Sequence, residues 1–170
     1  MSFATTSVQR HATAQMRMAS PLGPILLVRT ADGLAGAWFE DQKHHPGAIG
    51  APEVDDDPVL TRAASQLAAY FDGACNTAFD VPLDLQGSDF QRHVWAELLR
   101  IGAGRTCSYG DIARAMGAPR AVRAVGSAVG RNPVSVIVPC HRVVGSGGAL
   151  TGYAGGLDRK RALLALEAGA

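Results

Sequence analysis

One short stretch of the sequence combines a thiol, an imidazole and a guanidinium behind a proline. Residues 136–144 have the sequence VIVPCHRVV. Proline restricts its own φ and favours an extended residue before it, so the pattern predicts a short strand that ends at Pro139, a turn at Cys140 and a second strand. A neighbouring base or positive charge lowers the pKa of a thiol and makes it a nucleophile. From these residues alone, a reactive Cys140 and a buried structural cysteine are equally good interpretations.

Length and composition indicate an ordinary globular protein. The chain has 170 residues, 47% of them hydrophobic and 18% charged, which suits one domain or two small ones. No apolar run is long enough to span a bilayer. Three scattered cysteines, with no Cys-x-x-Cys pair, predict neither a disulfide framework nor a zinc knuckle and favour a reducing, intracellular compartment. The residues before Pro21 predict a polar, partly disordered start.

Charge is divided unevenly along the chain. Residues 1–85 carry 5 basic and 10 acidic side chains, whereas residues 86–170 carry 11 basic and 5 acidic ones, so the halves are −5 and +6. A basic second half favours a polyanionic partner, although many basic faces bind nothing.

The first half begins with a predicted hairpin. Residues 21–28 and 33–39 are strand-like runs, and the Asp-Gly pair between them is typical of a tight turn. Residues 41–57 predict a loop. Its adjacent His44 and His45 have no further ligands nearby, so solvated side chains explain them better than a metal site.

A helix and a strand are predicted to complete this half. Asp57 and Pro58 supply an N-cap and a first-turn proline, and Gly73 ends the helix. Alternating apolar residues in 75–85 predict an edge strand. The result is a small α+β unit with no visible chemistry.

The second half predicts a helix-turn-helix. Ser88 and Gln91 have the form of a capping box before one helix. Ser108 caps a short helix, and Pro119 opens another that Gly130 ends; a Gly-Ala-Pro turn joins them. Beyond residue 144, a loop with six glycines (145–156) is predicted to be mobile, and 157–167 to be helical.

The two sides of the predicted 119–130 helix differ in size and polarity. A valine stripe is formed by Val122, Val125 and Val129. The opposite side carries Arg120, Arg123 and Ser127, and the small Ala124 and Gly126 would let another molecule approach the backbone closely. A solvated amphipathic helix would show a similar stripe but usually has longer polar residues, so the pattern favours nucleic-acid contact.

Together these motifs resemble the O6-alkylguanine-DNA alkyltransferases, also called methylated-DNA–protein-cysteine methyltransferases. The resemblance covers residues 86–167; residues 1–85 match in size and layout only. Five motifs carry it, in the family's order: Ser108-Tyr109, RAVG at 123–126, RNP at 131–133, VPCHRV at 138–143 and GYAGG at 152–156.

The resemblance implies an α/β (α+β) fold with two domains. Residues 1–85 would form a small N-terminal α+β domain of sheet and helix. Residues 86–170 would form a mostly helical domain with the helix-turn-helix and the active-site cysteine, responsible for DNA binding and alkyl transfer.

The resemblance also implies DNA repair by direct damage reversal. The chain would bind double-stranded DNA through the minor groove, flip out an O6-alkylguanine and move its alkyl group irreversibly to its own cysteine, once per molecule. O4-alkylthymine is a further implied substrate. The implied protein is a monomer without cofactor or membrane partner, cytoplasmic in a bacterium or nuclear in a eukaryote.

Roles carried over from the family fall on specific residues here. Cys140 would be the nucleophile, His141 its base through a bridging water, and Glu167 the group that orients the imidazole. Tyr109 would give a proton to the departing guanine, and Asn132 would brace the turn. Arg123 would enter the base stack, beside a DNA-contacting surface formed by Arg120, Ala124, Gly126 and Ser127. The flipped base would be held by the carbonyl of Val143 and the backbone of Tyr153 and Ala154.

Two departures from some relatives concern the size of the alkyl group. Ser135 stands where those relatives have proline, and Ala154 stands where others have serine. Both differences leave open which alkyl groups fit the site, and neither affects the transfer reaction itself. The cysteines that bind zinc in certain relatives have no counterpart here, so no metal is expected.

Three other functions compete with alkyl transfer. A non-enzymatic lesion-binding protein of the alkyltransferase-like kind would lack the reactive cysteine. A helix-turn-helix regulator would need longer side chains than Ala124 and Gly126 for major-groove readout. A thiol hydrolase that uses Cys140 and His141 would turn over on acyl substrates.

Overall fold

A three-stranded antiparallel sheet forms the first part of the structure, a computed structural model that describes residues 3–170. Its strands follow one another in the order β1 (Ala14–Met18), β2 (Ile25–Arg29) and β3 (Leu34–Phe39). Helix α1 (Phe3–His11) precedes the sheet and α2 (Pro58–Phe71) packs against it. As predicted, Asp57 caps α2: its carboxylate accepts the backbone N–H groups of Val59 and Leu60. The predicted α+β fold class is confirmed.

The predicted disordered start is wrong from residue 3 onward; residues 1 and 2 lie outside the described residues. Helix α1 buries Val8 in a small cluster on the outer face of the sheet, together with Trp38. Strand β1 pairs along its whole length with β2. Its polar Gln15 is buried because the side-chain amide donates to the carbonyls of Ile49 and Ala51. The polar residues of β1 therefore led to the prediction of disorder for a segment that is an ordered strand.

The predicted edge strand at 75–85 is also wrong. Only Leu83 forms a bridge, to Leu34, and the rest of the segment is turns and irregular chain. Pro82 has no N–H to donate to a ladder, although its carbonyl accepts from Leu34 N. The alternating Val81 and Phe79 contact the core without strand pairing.

Four helices and two very short strands make up the second half. In chain order they are α3 (Asp89–Leu98), β4 (Cys107–Ser108), α4 (Tyr109–Ala115), α5 (Val122–Gly130), β5 (Val143–Val144) and α6 (Leu157–Ala168). Both predicted caps are present, Ser88 with Gln91 before α3 and Ser108 with Asp111 before α4. Among these described helices none is long and apolar enough to cross a membrane.

Helix α5 begins later than predicted. Pro119 and Arg120 lie in the turn before it, which is closed by a hydrogen bond from Ala121 N to Ala118 O. Its buried face is formed by Val125, Ala128 and Val129. Val122, predicted to belong to this face, is instead 40% exposed, because the helix begins at that residue.

The two halves share backbone hydrogen bonds and one core. Ala37 in β3 donates to the Pro133 carbonyl and accepts from Ser135 N, both at 2.9 Å. The sheet is thereby continued for one bridge by the segment that leads to Cys140. The main apolar cluster runs from Ala14 to Leu163. The boundary at residue 85 stays a prediction.

Trp95 anchors α3, and its ring leaves no room beside Gly87. Its indole N–H donates to the Ala128 carbonyl at 2.9 Å, while a Cβ on Gly87 would lie 2.6 Å from the ring. Gly87→Ala should therefore lower the free energy of unfolding by about 1–3 kcal/mol in urea denaturation. Gly50→Ala is the matched control, because a Cβ there meets nothing within 4 Å. It should be neutral or slightly stabilising, and equal losses in both variants would contradict the packing argument.

Candidate active site

The chain that leads to Cys140 is a tight turn, and the strand predicted for Val136–Val138 is wrong. Val136 has a φ of 70°, which is uncommon for a β-branched residue. Val138 N bonds back to Val134 O, so the segment folds on itself. The apolar side chains of this segment are buried because they pack in the core, and not because the segment is a β-strand. Cys140–Arg142 then form one turn of 3₁₀ helix, and strand β5 follows, parallel to β4.

Asn132 holds this turn from inside. Its side-chain oxygen accepts Val134 N at 3.0 Å, and its amide nitrogen donates to Val138 O at 2.8 Å. The same nitrogen lies 3.1 Å from the sulfur of Cys140. Asn132 therefore fixes the backbone and donates a hydrogen bond to the thiol.

The Cys140 thiol is buried among groups with opposing effects on its acidity. Burial raises the pKa of Cys140, and the Asn132 hydrogen bond and the positive charge of Lys160 offset part of that rise. The resting side chain is therefore a thiol, and the site needs a base to form the thiolate.

His141 and Glu167 form the buried pair that is suited to supply this base. The imidazole Nε2 lies 2.7 Å from Glu167 Oε1, and neither side chain is exposed to solvent. Burial lowers the pKa of His141, although Glu167 opposes this, so the ring is neutral. A carboxylate only accepts hydrogen bonds, so Nε2 carries the proton. Nδ1 is then a free acceptor; it is buried and has no partner among the described residues.

Glu167 keeps its negative charge in this buried position. Burial alone would raise its pKa, but hydrogen bonds from His141, Arg142 and Tyr70 hold that pKa well below its usual range. Arg142 contributes Nε and Nη2, the latter at 2.7 Å from Oε1. The Gly104 N–H reaches Oε2 at 3.3 Å. Four residues thus donate hydrogen bonds to the carboxylate and stabilise its negative charge.

Lys160 lies at the centre of the site, where the sequence did not place it. It is fully buried, and its ammonium donates to the carbonyls of Val143, Thr151 and Gly152. Burial lowers its pKa. The signal was present in the sequence: the buried residues of α6 are Lys160, Leu163 and Glu167, at the spacing of one helix face.

A cavity of about 180 Å³ opens above the thiol. Several predicted residues line it: Tyr109, Gly126, Cys140, Tyr153 and Ala154. The Tyr109 hydroxyl donates to Thr151 O at 3.2 Å. Lys43 and His44, from the first half, line the same cavity, and Lys43 N donates to Ala154 O at 2.9 Å. Sequence reasoning left both in a solvated loop.

Other predicted residues lie away from this cavity. The Ser135 hydroxyl is buried and donates to Gln42 Oε1, so this side chain is not among those that line the cavity. Arg123, Ala124 and Ser127 are exposed on α5, and Arg120 is exposed in the preceding turn. Within residues 3–170 neither arginine has an ion-pair partner.

Comparison with known proteins identifies one family along most of the chain. Residues 89–169 match the DNA-binding domain, and residues 16–85 the ribonuclease-like domain, of 6-O-methylguanine DNA methyltransferase. The methylated-DNA–protein-cysteine methyltransferase of Mycolicibacterium paratuberculosis is 50% identical over 148 residues, which cover 87% of this chain and 88% of that protein. The one from Methanosarcina acetivorans is 47% identical, over 87% and 94% of the two chains.

A solved structure agrees with this assignment. The crystal structure of Mycobacterium tuberculosis OGT in complex with DNA is similar with a TM-score of 0.83 and 47% identity. The match covers 92% of this chain and 94% of that chain.

The buried charge of Glu167 should make a measurable contribution to the free energy of unfolding. Glu167→Gln leaves Arg142 charged and without its partner, so the free energy of unfolding should fall by about 3 kcal/mol near neutral pH. The folded pKa of Glu167 is depressed, so its contribution is present above the unfolded pKa of about 4.3 and declines as pH falls toward the folded value. The difference between variant and wild type in urea denaturation should therefore shrink below about pH 4.

The control for this variant is an exposed pair. Glu53 bonds to Arg17 with 54% of its side chain exposed, so Glu53→Gln should change stability by less than about 0.5 kcal/mol. A Glu167→Gln protein as stable as this control would contradict a buried, ionised Glu167.

Proposed function

Because the chain belongs to the methylated-DNA–protein-cysteine methyltransferases, we propose that it repairs DNA by moving the alkyl group of O6-alkylguanine onto Cys140. The observation that carries the proposal is the buried Cys140 thiol beside Asn132, at the base of a cavity next to the His141–Glu167 pair. We place the reaction in the cytoplasm of a cell like those of its bacterial relatives, with the protein acting as a monomer.

The proposed transfer is a single displacement. Nδ1 of His141 takes the thiol proton of Cys140 through a bridging water. The thiolate sulfur then bonds to the alkyl carbon, and the bond between that carbon and guanine O6 breaks. Tyr109 supplies a proton to the departing guanine. The free Nδ1 acceptor supports His141 as the base, and the Tyr109 hydroxyl beside the cavity supports its part.

The forming thiolate is stabilised by groups already in place. Asn132 donates to the sulfur, and the buried ammonium of Lys160 adds a positive charge. Since these groups are fixed before reaction, they need no reorganisation as charge develops. O4-alkylthymine, which presents an alkyl ether on a similar ring edge, is a second substrate of this proposal.

The proposed substrate reaches the thiol by flipping out of the duplex, because an atom inside the base stack cannot reach a buried sulfur. The exposed, small-residue face of α5 suits the minor groove, with Arg123 as the side chain that fills the gap. Gly126 belongs to this helix and also lines the cavity, which supports a short path from groove to thiol. The carbonyl of Val143 and the backbone at Tyr153 and Ala154 hold the base.

Transfer should stop at one alkyl group per protein. The thioether is chemically stable, and neither Cys75 nor Cys107 lies among the residues that line the cavity. Excess duplex with O6-methylguanine should add one methyl group to the intact mass, and peptide mapping should place it on Cys140. Cys140→Ala should remove activity, while Cys107→Ala should retain it. Repeated turnover, or a methylated peptide in Cys140→Ala, would refute the proposal and favour a lesion binder or a hydrolase.

Arg123→Ala should separate flipping from chemistry. Unstacking a base costs a few kcal/mol, and each 1.36 kcal/mol is about tenfold in rate, so repair of duplex DNA should slow by roughly ten- to a thousandfold. Free O6-benzylguanine needs no flipping, and its reaction should change little. Single-turnover rates at saturating protein, on both substrates, measure this difference.

Arg120→Ala is the matched control, since both arginines are exposed and belong to the same surface. A residue that only binds phosphate should weaken affinity, and lower salt or more protein should restore the rate. Equal losses of Arg123→Ala on duplex and free base would mean that Arg123 supports the active site instead.

A further inference from the structure

Tyr70, in the last turn of α2, reaches the buried carboxylate from the first half of the chain. Its hydroxyl donates to Glu167 Oε1 at 2.7 Å and lies 3.5 Å from His141 Nε2. No family motif in the sequence pointed to it, and the first half was predicted to carry no chemistry. Tyr70 is 1% exposed, so this contact is shielded from water.

The position of the hydroxyl is fixed by packing on both sides of the ring. The Tyr70 ring meets Phe71 edge-on with centroids 5.5 Å apart, and Phe79 lies 5.9 Å away. The Tyr70 carbonyl accepts from Cys75 Sγ and from Gly73 N at the end of the helix. Such a rigid side chain holds its hydroxyl at one point with little loss of entropy on binding the carboxylate.

Tyr70 remains a donor across the working pH range. Burial and the neighbouring Glu167 charge both raise the pKa of its hydroxyl. Among the described residues, the ionisable groups in this cluster come from several elements, and they are Tyr70, Cys75, Cys140, Arg142, Tyr153 and Lys160. Of these, only Tyr70 is a neutral donor to the same oxygen, Oε1, that faces the imidazole.

We infer that Tyr70 is a positioning residue that sets the proton affinity of His141 by sharing the Glu167 oxygen to which the imidazole binds. A hydrogen bond to a carboxylate draws negative charge toward the donor and away from its other partners. With Tyr70 bound, Oε1 stabilises the imidazolium less, and His141 stays neutral and able to accept the thiol proton. The first half of the chain thereby contributes to the chemistry of the second.

This inference rests on the proposed function, because the expected direction of the pH shift assumes that His141 acts as a base and must therefore be neutral. Tyr70→Phe removes the hydroxyl and keeps the ring. The acid limb of the pH–rate profile, which belongs to the coupled Cys140–His141 pair, should move upward by about half to one pH unit. The rate above the inflection should stay within about twofold of wild type.

The pH–rate profile of Cys140 is measured with two reagents, so that a failure of the inference can be distinguished from a failure of the proposed function. Free O6-benzylguanine reports alkyl transfer. Iodoacetamide, followed by peptide mapping, reports the reactivity of Cys140 without any repair activity, with Cys107 in the same digest as a reference. If wild type takes no methyl group from O6-methylguanine duplex, the proposed function fails, and the iodoacetamide profile still tests Tyr70.

Leu67→Ala is the control for a structural effect. Leu67 is fully buried on the same helix, one turn before Tyr70, and its hydrocarbon side chain has no group that could hydrogen-bond to the site. It should lower stability without moving the inflection at a temperature where the protein stays folded. A Tyr70→Phe profile with a lower plateau and an unmoved inflection would mean a structural role and would overturn the inference, as would an unchanged profile.

A second variant keeps the test decisive if Tyr70→Phe does not fold. Site-specific 3-fluorotyrosine at position 70 retains the hydroxyl and makes it a stronger donor, so the inflection should move downward. A shift upward, or none, would contradict the assignment.

Discussion

A negative charge buried at Glu167 is the constraint on which the rest of the site depends. An isolated carboxylate in a protein interior is strongly unfavourable, and it is tolerated only when paired and hydrogen-bonded. Here Arg142, His141, Tyr70 and the Gly104 N–H all meet it. These donors come from a 3₁₀ turn, a helix of the first half and a loop. Satisfying one charge therefore holds together elements that are far apart in sequence.

Local signals in the sequence predicted much of the second half correctly. The caps at Ser88 and Ser108 are present because capping depends on residues only three positions apart. The thiol and imidazole were found because they are adjacent. The strand predicted before Cys140 failed for the opposite reason. Its valines satisfy a β pattern locally, but Asn132 bonds the chain into a turn, and that bond is not visible in the pattern.

The contributions of the first half could not be read from its sequence. Tyr70 looks like any apolar-stripe residue of α2, and Lys43 and His44 like loop residues. Their place at the site follows from the bridge between Ala37 and the 133–135 segment, which is a tertiary contact. Lys160 is an intermediate case. Its helical spacing from Glu167 was available in the sequence, but a lysine between two arginines is typical of an exposed helix face.

Activation of Cys140 requires that Glu167 is ionised while His141 is neutral, with the imidazole proton on Nε2 and an available acceptor at Nδ1. Nitrogen-15 NMR of the histidine rings in the unreacted protein measures this directly, with His141→Gln to assign the signals. We expect one protonated and one unprotonated ring nitrogen at pH 7–8, because burial lowers the pKa of His141. Two protonated nitrogens at pH 7 would mean a resting imidazolium, and His141 would then not be the base that activates Cys140.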